Sequence, residues 1–248
     1  MKIVVCINHT PDTETKVKIG SDGKTIDPGG VNYILNPYDE FAIEAALRLK
    51  EQLGGETCVL TLGPDTHKET LRKALAIGIE KAILLKDATP RDSFSIANAL
   101  AEELKKMSPD CVLFGKQSID YYDEQVPGLV AELLGWPSVS VVIKLEVDAG
   151  MVHCVREIEG GHELVETKFP VVITTQKGLN EPRYPSLKGI MAAKSKPIEE
   201  KTPASFASVV ETLEMKKPPA KQAGRIIGTD ATVVPELIRL LHEEAKII

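Results

Sequence analysis

The sequence contains few of the patterns by which membrane proteins and common enzymes are recognised. It has no run of about 18 apolar residues, so no membrane-spanning helix is predicted. It has neither G-x-G-x-x-G nor G-x-x-x-x-G-K-[ST], the usual phosphate loops, and no serine in a G-x-S-x-G elbow. The five histidines are scattered without the close pairs that zinc ligands need. We therefore expect neither a metal site nor a catalytic constellation.

Aromatic residues, charge of one sign and paired cysteines are also scarce. Aromatics make up 4% of the chain, and 30 basic against 36 acidic residues leave a net charge of −6, so a nucleic-acid binder is not expected. The four cysteines lie in apolar segments with no C-x-x-C pair, which indicates buried, reduced thiols and a cytoplasmic protein. The opening residues, MKIVVCINHT, are too short for a signal peptide and predict a first strand.

Short apolar runs alternate with helical patterns over the first two-thirds of the chain. The runs at 3–7, 58–62, 82–85 and 111–114 predict buried parallel strands. The stretches between them carry apolar residues at helical spacing. This alternation predicts an α/β fold, an open and mostly parallel Rossmann-like sheet flanked by helices.

Capping signals predict where helices begin. Asn36 would cap a helix in which Pro37 occupies the first turn and Asp39 favours the positive end of the helix dipole. The glycines at 54–55 end this helix. Asp92 is a candidate cap for a later helix.

The last third of the chain has a different pattern. Residues 139–175 are rich in β-formers and predict an antiparallel addition to the sheet, with a tight turn at the glycines 160–161. Six prolines interrupt residues 176–225, where we expect little regular structure. An amphipathic helix with Pro235 in its first turn follows. We therefore predict an α/β domain over 1–175 and an arm with an anchored end over 176–248.

Open α/β sheets bind ligands where their strands end, and four such points stand out here. They are residues 6–8, 36–39, 62–64 and 115–125. The last leads into a predicted helix over 126–134, whose first backbone N–H groups would suit a phosphate. Asp120 would accept hydrogen bonds from ribose hydroxyls. An ordinary connecting loop is the alternative interpretation.

Residues 179–193, LNEPRYPSLKGIMAA, combine proline stiffness with large apolar side chains. Pro182 and Pro185 remove backbone donors and disfavour helix, so we expect the segment to stay irregular. A stiff loop with exposed apolar anchors is typical of a docking element, because prior order lowers the entropy lost on binding. The alternative is a loop that packs on its own domain.

Six motifs, spread over essentially the whole chain, resemble the β subunit of electron transfer flavoproteins. They are NPYDEFAIEAALRLKE (36–51), the GP…LRKALAIGIEKA region (63–82), FGKQSID (114–120), LLGWP (133–137), REIEGG (156–161) and LNEPRYPSLKGIMAAK (179–194). The resemblance implies a heterodimer whose larger α subunit carries most contacts to a redox-active FAD. The β subunit buries an adenine nucleotide, which is AMP in ordinary members and a second FAD in electron-bifurcating members. It implies a nucleotide-binding domain over 1–175 and, over 176–248, a recognition loop, an extended arm and a helix that contact the α subunit.

The resemblance also implies site residues. The nucleotide pocket falls on Cys6, Asn36, Pro37, Tyr38, Asp39, Leu62, Asp120, Tyr121, Tyr122, Asp123, Glu124, Gln125, Val126, Pro127, Gly128, Leu129, Val130 and Ala131. The recognition loop, which docks on acyl-CoA and related dehydrogenases with Leu187 as its anchor, falls on Asn180, Glu181, Pro182, Arg183, Tyr184, Leu187, Ile190 and Met191. Glu157 matches a glutamate at the contact with the mobile flavin-bearing domain of the partner. A membrane quinone oxidoreductase is a further candidate partner.

Two occupants of the nucleotide pocket stay open at this point. The dipeptide Gln125-Val126 and the motif NPYD lean toward the second FAD of bifurcating members, whereas LNEPRY resembles the ordinary, AMP-holding carriers. Residues 92–95 partly resemble a second-flavin phosphate loop, but Ile96 stands near where a hydroxyl is expected. The leading interpretation is an AMP-holding electron carrier and not an enzyme. A competing class, a nucleotide hydrolase or stress-protein-like module on the same adenine-nucleotide-hydrolase-like sheet, is disfavoured because INHTPDT contains no glycine-rich phosphate loop.

Overall fold

The computed structural model describes residues 1–220 and 223–248, and Lys221 and Gln222, which fall in the predicted arm, lie outside the described residues. The strands are β1 (Lys2–Cys6), β2 (His9–Pro11), β3 (Tyr33–Leu35), β4 (Glu56–Gly63), β5 (Lys81–Lys86), β6 (Cys111–Gly115), β7 (Ser138–Asp148), β8 (Met151–Ile158), β9 (Gly161–Lys168), β10 (Val171–Thr175) and β11 (Glu199–Lys201). The α-helices are α1 (Pro37–Leu53), α2 (Lys68–Ile77), α3 (Ser93–Met107), α4 (Gln125–Leu134), α5 (Leu187–Ser195) and α6 (Val234–Glu243).

Nine strands form one sheet in the order β11-β5-β4-β1-β6-β10-β7-β8-β9. All neighbours from β11 to β7 run parallel, whereas β7, β8 and β9 form an antiparallel meander. Strands β2 and β3 form a separate antiparallel pair. The predicted α/β class with a mostly parallel sheet is confirmed.

The apolar runs form strands that are buried on both faces of the sheet. Ile3 and Val5 face a core with α1 and α2, while Val4 and Cys6 face a second core with α3 and α4. A strand covered on both sides gains from an unbroken apolar sequence, which is why these runs do not alternate with polar residues. The four cysteines are buried and unpaired, and burial raises the pKa of the Cys58 thiol to about 12.

The expected antiparallel addition is confirmed for β7 to β9, but the last third of the chain differs from the expectations at three points. Strand β10 is not an antiparallel addition but pairs in parallel with β6 and β7, as its wholly buried sequence VVITT fits. Strand β9 intervenes after the Gly160-Gly161 turn and was missed because its edge sequence GHELVETK is largely exposed and polar. Most of the described part of 176–225 is irregular as expected, but it also contains α5 and β11, and Ser186 caps α5 by accepting from the Gly189 N–H at 3.0 Å.

Two compact units are distinguished by their contacts, residues 1–213 and residues 214–248. The second contains α6, with Pro235 in its first turn as predicted. The start of the partner-contacting arm at residue 176 stays a prediction. Among residues 1–220 and 223–248, no helix is long and apolar enough to cross a membrane.

A buried carboxylate joins the ends of β1 and β6. The Asp39 carboxylate accepts from the Asn8 N–H at 2.7 Å, from the Gly115 N–H at 3.1 Å and from the Asn36 amide at 2.9 Å. Gly115 is required here, because a Cβ at that position would lie 2.4 Å from an Asp39 oxygen. Asn36 occupies the N-cap position of α1 as expected, but its amide makes no capping bond and instead turns inward to Asp39 and to the Gln117 carbonyl.

The environment of Asp39 raises the pKa of its carboxyl group. Burial raises the pKa of this carboxyl from 3.8 to about 7, and the hydrogen bonds from Asn8, Asn36 and Gly115 oppose a larger rise. The folded protein therefore holds this proton to a higher pH than the unfolded chain does.

This difference predicts a pH-dependent stability. Because the folded state binds the extra proton between the two pKa values, the contribution of Asp39 to the free energy of unfolding should fall as pH rises from about 4 to about 7 and stay constant above. The slope should approach about 1.4 kcal/mol per pH unit. Asp39→Asn should remove this slope and cost about 1–3 kcal/mol, since its NH₂ would face a backbone donor. Urea unfolding at several values from pH 5 to pH 8 measures the slope and the cost of the substitution. If the free energy of unfolding changed with pH in the same way in both proteins, the raised pKa of Asp39 would be contradicted.

Candidate functional site

A cavity of about 500 Å³ lies at the carboxyl ends of β1, β4, β5 and β6. This edge of the sheet is where the strand order reverses, because β4 and β6 flank β1 on opposite sides. Such reversal points are the usual ligand crevices of open α/β sheets, and the volume is typical of small-molecule sites. The cavity is therefore the candidate ligand site.

The structure brings half of the sequence-predicted pocket residues to this cavity. Those that line it are Cys6, Asp39, Leu62, Asp120, Tyr121, Asp123, Glu124, Val126 and Pro127. Those that do not are Asn36, Pro37, Tyr38, Tyr122, Gln125, Gly128, Leu129, Val130 and Ala131. The second group includes Asn36, which supports the wall through Asp39, and α4 residues that pack behind the loop.

Three aromatic rings that the sequence reasoning missed form one wall. The His9 ring stacks on the Tyr33 ring with centroids 4.8 Å apart and an interplanar angle of 10°. The centroid of the His67 ring also lies 4.8 Å from the centroid of the His9 ring. Their positions just after β1, at β3 and after β4 are far apart in sequence, so only the strand order brings them together. The His9 and Tyr33 rings lie face to face and the His67 ring is tilted by 42° to His9, so the three rings form a partly apolar wall rather than one flat face.

The loop after β5 supplies a second missed group. Arg91 lies against Asp87 at 2.6 Å, and its Nη1 is buried without a hydrogen-bond partner among the described residues. The Thr89 N–H and the Arg91 guanidinium lower the pKa of Asp87 to about 2, so this pair stays charged. Applying the strand-end rule to β5, as to β1 and β4, would have found this loop.

The loop that leads into α4 carries backbone strain. Tyr122 and Glu124 adopt left-handed conformations, with φ of 56° and 53°, which side chains other than glycine rarely take. The Ser93 hydroxyl donates to the Asp123 carboxylate and so ties the start of α3 to this loop. Strain of this kind persists only where the surroundings hold it and clusters at ligand sites.

The predicted docking segment is held on α1 by its base. The Arg183 guanidinium donates to Glu44 at 2.7 Å and to Glu51 at 2.6 Å, and the Asn180 amide donates to the Phe41 carbonyl at 3.0 Å. Burial acts to raise the pKa of Glu44, but hydrogen bonds from Arg183 and Arg48 outweigh it, so the pKa is lowered.

The tip of the same segment is helical, contrary to the expectation of an irregular loop. Leu187 is the first residue of α5 and is 84% exposed, and Tyr184 just before it is 93% exposed. At the other end of α5, the Arg72 guanidinium of α2 donates to the Ala193 carbonyl at 2.5 Å. Ile190 and Met191 are also exposed, whereas Glu181 and Pro182 form the connection to the base. Large apolar side chains are thus presented on a fixed support.

Glu157 lies near the end of β8, beside the β8–β9 turn. Its carboxylate accepts from the Gln176 amide just after β10. The side chain is therefore oriented from the sheet although it is exposed.

Comparison with known proteins identifies the family. The electron transfer flavoprotein domain matches residues 24–205. The chain is similar to the electron transfer flavoprotein subunit beta of Syntrophomonas wolfei, with 44% identity over 90% of this chain and 88% of that relative. It is 39% identical to the subunit of the same name from Bacillus subtilis, and 34% identical to the mitochondrial one of Arabidopsis thaliana, each over 100% of both chains. The chain therefore belongs to the electron transfer flavoprotein family, as a relative of its β subunits, which are electron carriers rather than enzymes.

Proposed function

We propose that this chain is the β half of a heterodimeric electron carrier that holds AMP, helps to seat an interfacial FAD and docks on dehydrogenases. The observation that carries the proposal is the cavity at the strand-order reversal, built from the same strand ends that the family resemblance assigns to the nucleotide. The chain transfers electrons through the bound flavin and needs no catalytic side chain of its own.

The cavity residues fit an adenine nucleotide. The wall of His9, Tyr33 and His67 suits a purine ring. The carboxylates of Asp120 and Asp123 would accept from ribose hydroxyls, and the first N–H groups of α4 would face a phosphate. The buried, unpartnered Nη1 of Arg91 is a further donor for an anionic or carbonyl oxygen.

A second FAD in place of AMP is the alternative, and one observation favours it. The cavity does not end at the α4 loop but extends to Arg91 and Ser93 at the start of α3. A dinucleotide would use this extension, whereas AMP would leave part of it to solvent. In that case the protein would belong to the electron-bifurcating type.

The α subunit is the proposed partner of the arm and of the C-terminal unit. Val209, Val210 and Leu213 of the arm are exposed, and within the second unit α6 exposes Leu237 and Ile238. Exposed apolar groups in this density mark a protein interface. FAD would sit at that interface, with Glu157 against the mobile flavin-bearing domain of the α subunit.

The docking segment would meet the dehydrogenase. Acyl-CoA and related dehydrogenases are the proposed partners, with a membrane quinone oxidoreductase as the acceptor of the electrons. A single apolar anchor on a small, rigid surface suits a weak and fast complex. We place the heterodimer in the cytoplasm, where the four unpaired thiols would stay reduced.

The nucleotide content separates the two occupants. The heterodimer, purified with both subunits and then denatured, should release one FAD and one AMP, measured by chromatography. Two FAD and no AMP would establish the alternative. A β chain that purified alone as a stable, empty monomer would argue against an obligate partner.

The docking role predicts a local effect of Leu187→Ala. Removing a central anchor should raise the apparent KM for the dehydrogenase by about tenfold and slow electron transfer, while flavin content stays normal. Leu164→Ala is the matched control, because Leu164 on β9 is 82% exposed but lies outside the segment. Equal rates for both variants and the parent would refute the docking assignment.

The hydrogen bonds from Arg183 to Glu44 and Glu51 of α1 predict a second variant that weakens docking. Arg183→Met should lower the free energy of unfolding by about 1 kcal/mol and raise the KM for the dehydrogenase several-fold, since the base of the segment loses its support. Arg48→Met removes the other cationic partner of Glu44 without touching the segment. Arg48→Met should therefore keep the KM of the parent protein. If KM rose to a similar extent in both variants, the effect would be due to Glu44 and not to the support of the segment.

A further inference from the structure

His67 lies at the wall of the cavity with one ring nitrogen fixed and the other open. It ends the short turn between β4 and α2. Its Nδ1 lies 3.3 Å from the Thr61 hydroxyl. Its Nε2 has no hydrogen-bond partner among the described residues and is not sealed from solvent, while the residue itself lines the cavity. Nε2 is therefore an unpaired acceptor position on a residue that lines the cavity.

The Thr61 hydroxyl decides which nitrogen carries the proton. That hydroxyl has a single hydrogen, which it donates to the Ile7 carbonyl at 2.8 Å, the shorter of its two contacts. A carbonyl only accepts, so the contact with His67 requires Nδ1–H to donate to the hydroxyl oxygen. The neutral ring then has its proton on Nδ1, and Nε2 presents a lone pair.

The surroundings keep the ring neutral and in place. Burial and the neighbouring His9 lower the pKa of His67 to about 4, so the imidazole carries no charge at neutral pH. A Cβ at Gly63 would lie 2.2 Å from the ring, so the ring packs directly against the Gly63 backbone. The result is a fixed acceptor beside the stacked rings of His9 and Tyr33.

We propose that Nε2 of His67 accepts a hydrogen bond from the exocyclic amino group of adenine and makes the cavity select adenine among purines. The inference rests on the proposed function, since it takes the ligand to be an adenine nucleotide. An amino group donates to this acceptor, whereas a purine without it leaves the acceptor unpaired. Sites built around a buried hydrogen-bonding group discriminate strongly against ligands that lack its partner. Adenine occurs in AMP and in the adenylate half of FAD, so either occupant would present this group.

The test compares AMP with purine riboside 5′-monophosphate, which has hydrogen in place of the amino group, on the nucleotide-stripped heterodimer. Calorimetry should give about tenfold tighter binding of AMP to the parent protein. His67→Gln, which keeps an acceptor, should retain most of this ratio. His67→Phe, which keeps a ring but no acceptor, should bring the two affinities to within about twofold. An unchanged ratio in His67→Phe would overturn the proposal and leave the nucleotide function standing.

FAD serves as the third probe. If His67 contacts the adenine of AMP, His67→Phe should weaken AMP and leave the affinity for the interfacial FAD unchanged. Where a second FAD takes the place of AMP in the cavity, AMP and that FAD should weaken by the same factor. Weakening of FAD alone would assign His67 to the isoalloxazine ring and overturn the adenine role. Failure of the parent protein to bind AMP, its deamino analogue or FAD would overturn both this proposal and the proposed function.

Discussion

The described structure depends on one buried carboxylate at the point where the strand order reverses. The helices that follow the two neighbours of β1 pack on opposite faces of the sheet, α2 after β4 on one face and α4 after β6 on the other, so a crevice opens between the ends of β1 and β6. Asp39 fills this position and accepts from the backbone of both strand ends. Without it, the buried Gly115 N–H would lose its acceptor, which is costly in a low-dielectric interior. The Asp39 carboxylate thus fixes the backbone of Asn8 and Gly115, which line the cavity.

The proposed docking segment differs from the cavity in that it presents large apolar side chains to water. Exposed leucine and tyrosine side chains would normally favour collapse of a flexible loop onto the surface. Here Arg183 ties the base of the segment to α1, and Arg72 holds the far end of α5. Charge-assisted hydrogen bonds at both ends hold the backbone while leaving the tip unpacked. Rigidity without burial is what a transient docking element requires, since little conformational entropy remains to be lost.

The features that could be predicted from the sequence are those that depend on residues close together in the chain. The features that could not be predicted depend on residues that are far apart in the chain. Strands such as β1 and β6 and helix α3, capped by Asp92, were predictable because apolar periodicity and caps are local signals. The inward turn of Asn36 was not, since its preference for Asp39 over a cap depends on strands that pair far along the chain. Helix α5 was obscured by its prolines, which precede the Ser186 cap instead of interrupting the helix. The cavity wall of His9 and His67 depends entirely on strand order.

The arm and the cavity are parts of one hydrogen-bonded structure within residues 1–213. One Asp92 oxygen caps α3 through the Ser95 N–H, and the other accepts from the Val209 and Val210 N–H groups at 2.6 and 2.9 Å. Burial acts to raise the pKa of Asp92, but these N–H donors lower it to about 2, so the carboxylate stays ionised over the physiological range. Residues 209–210 of the arm therefore keep their place without regular secondary structure, because one carboxylate supplies the acceptors that a strand partner would otherwise supply. The same residue fixes the start of α3 at the cavity, so the candidate ligand site and the arm share a support.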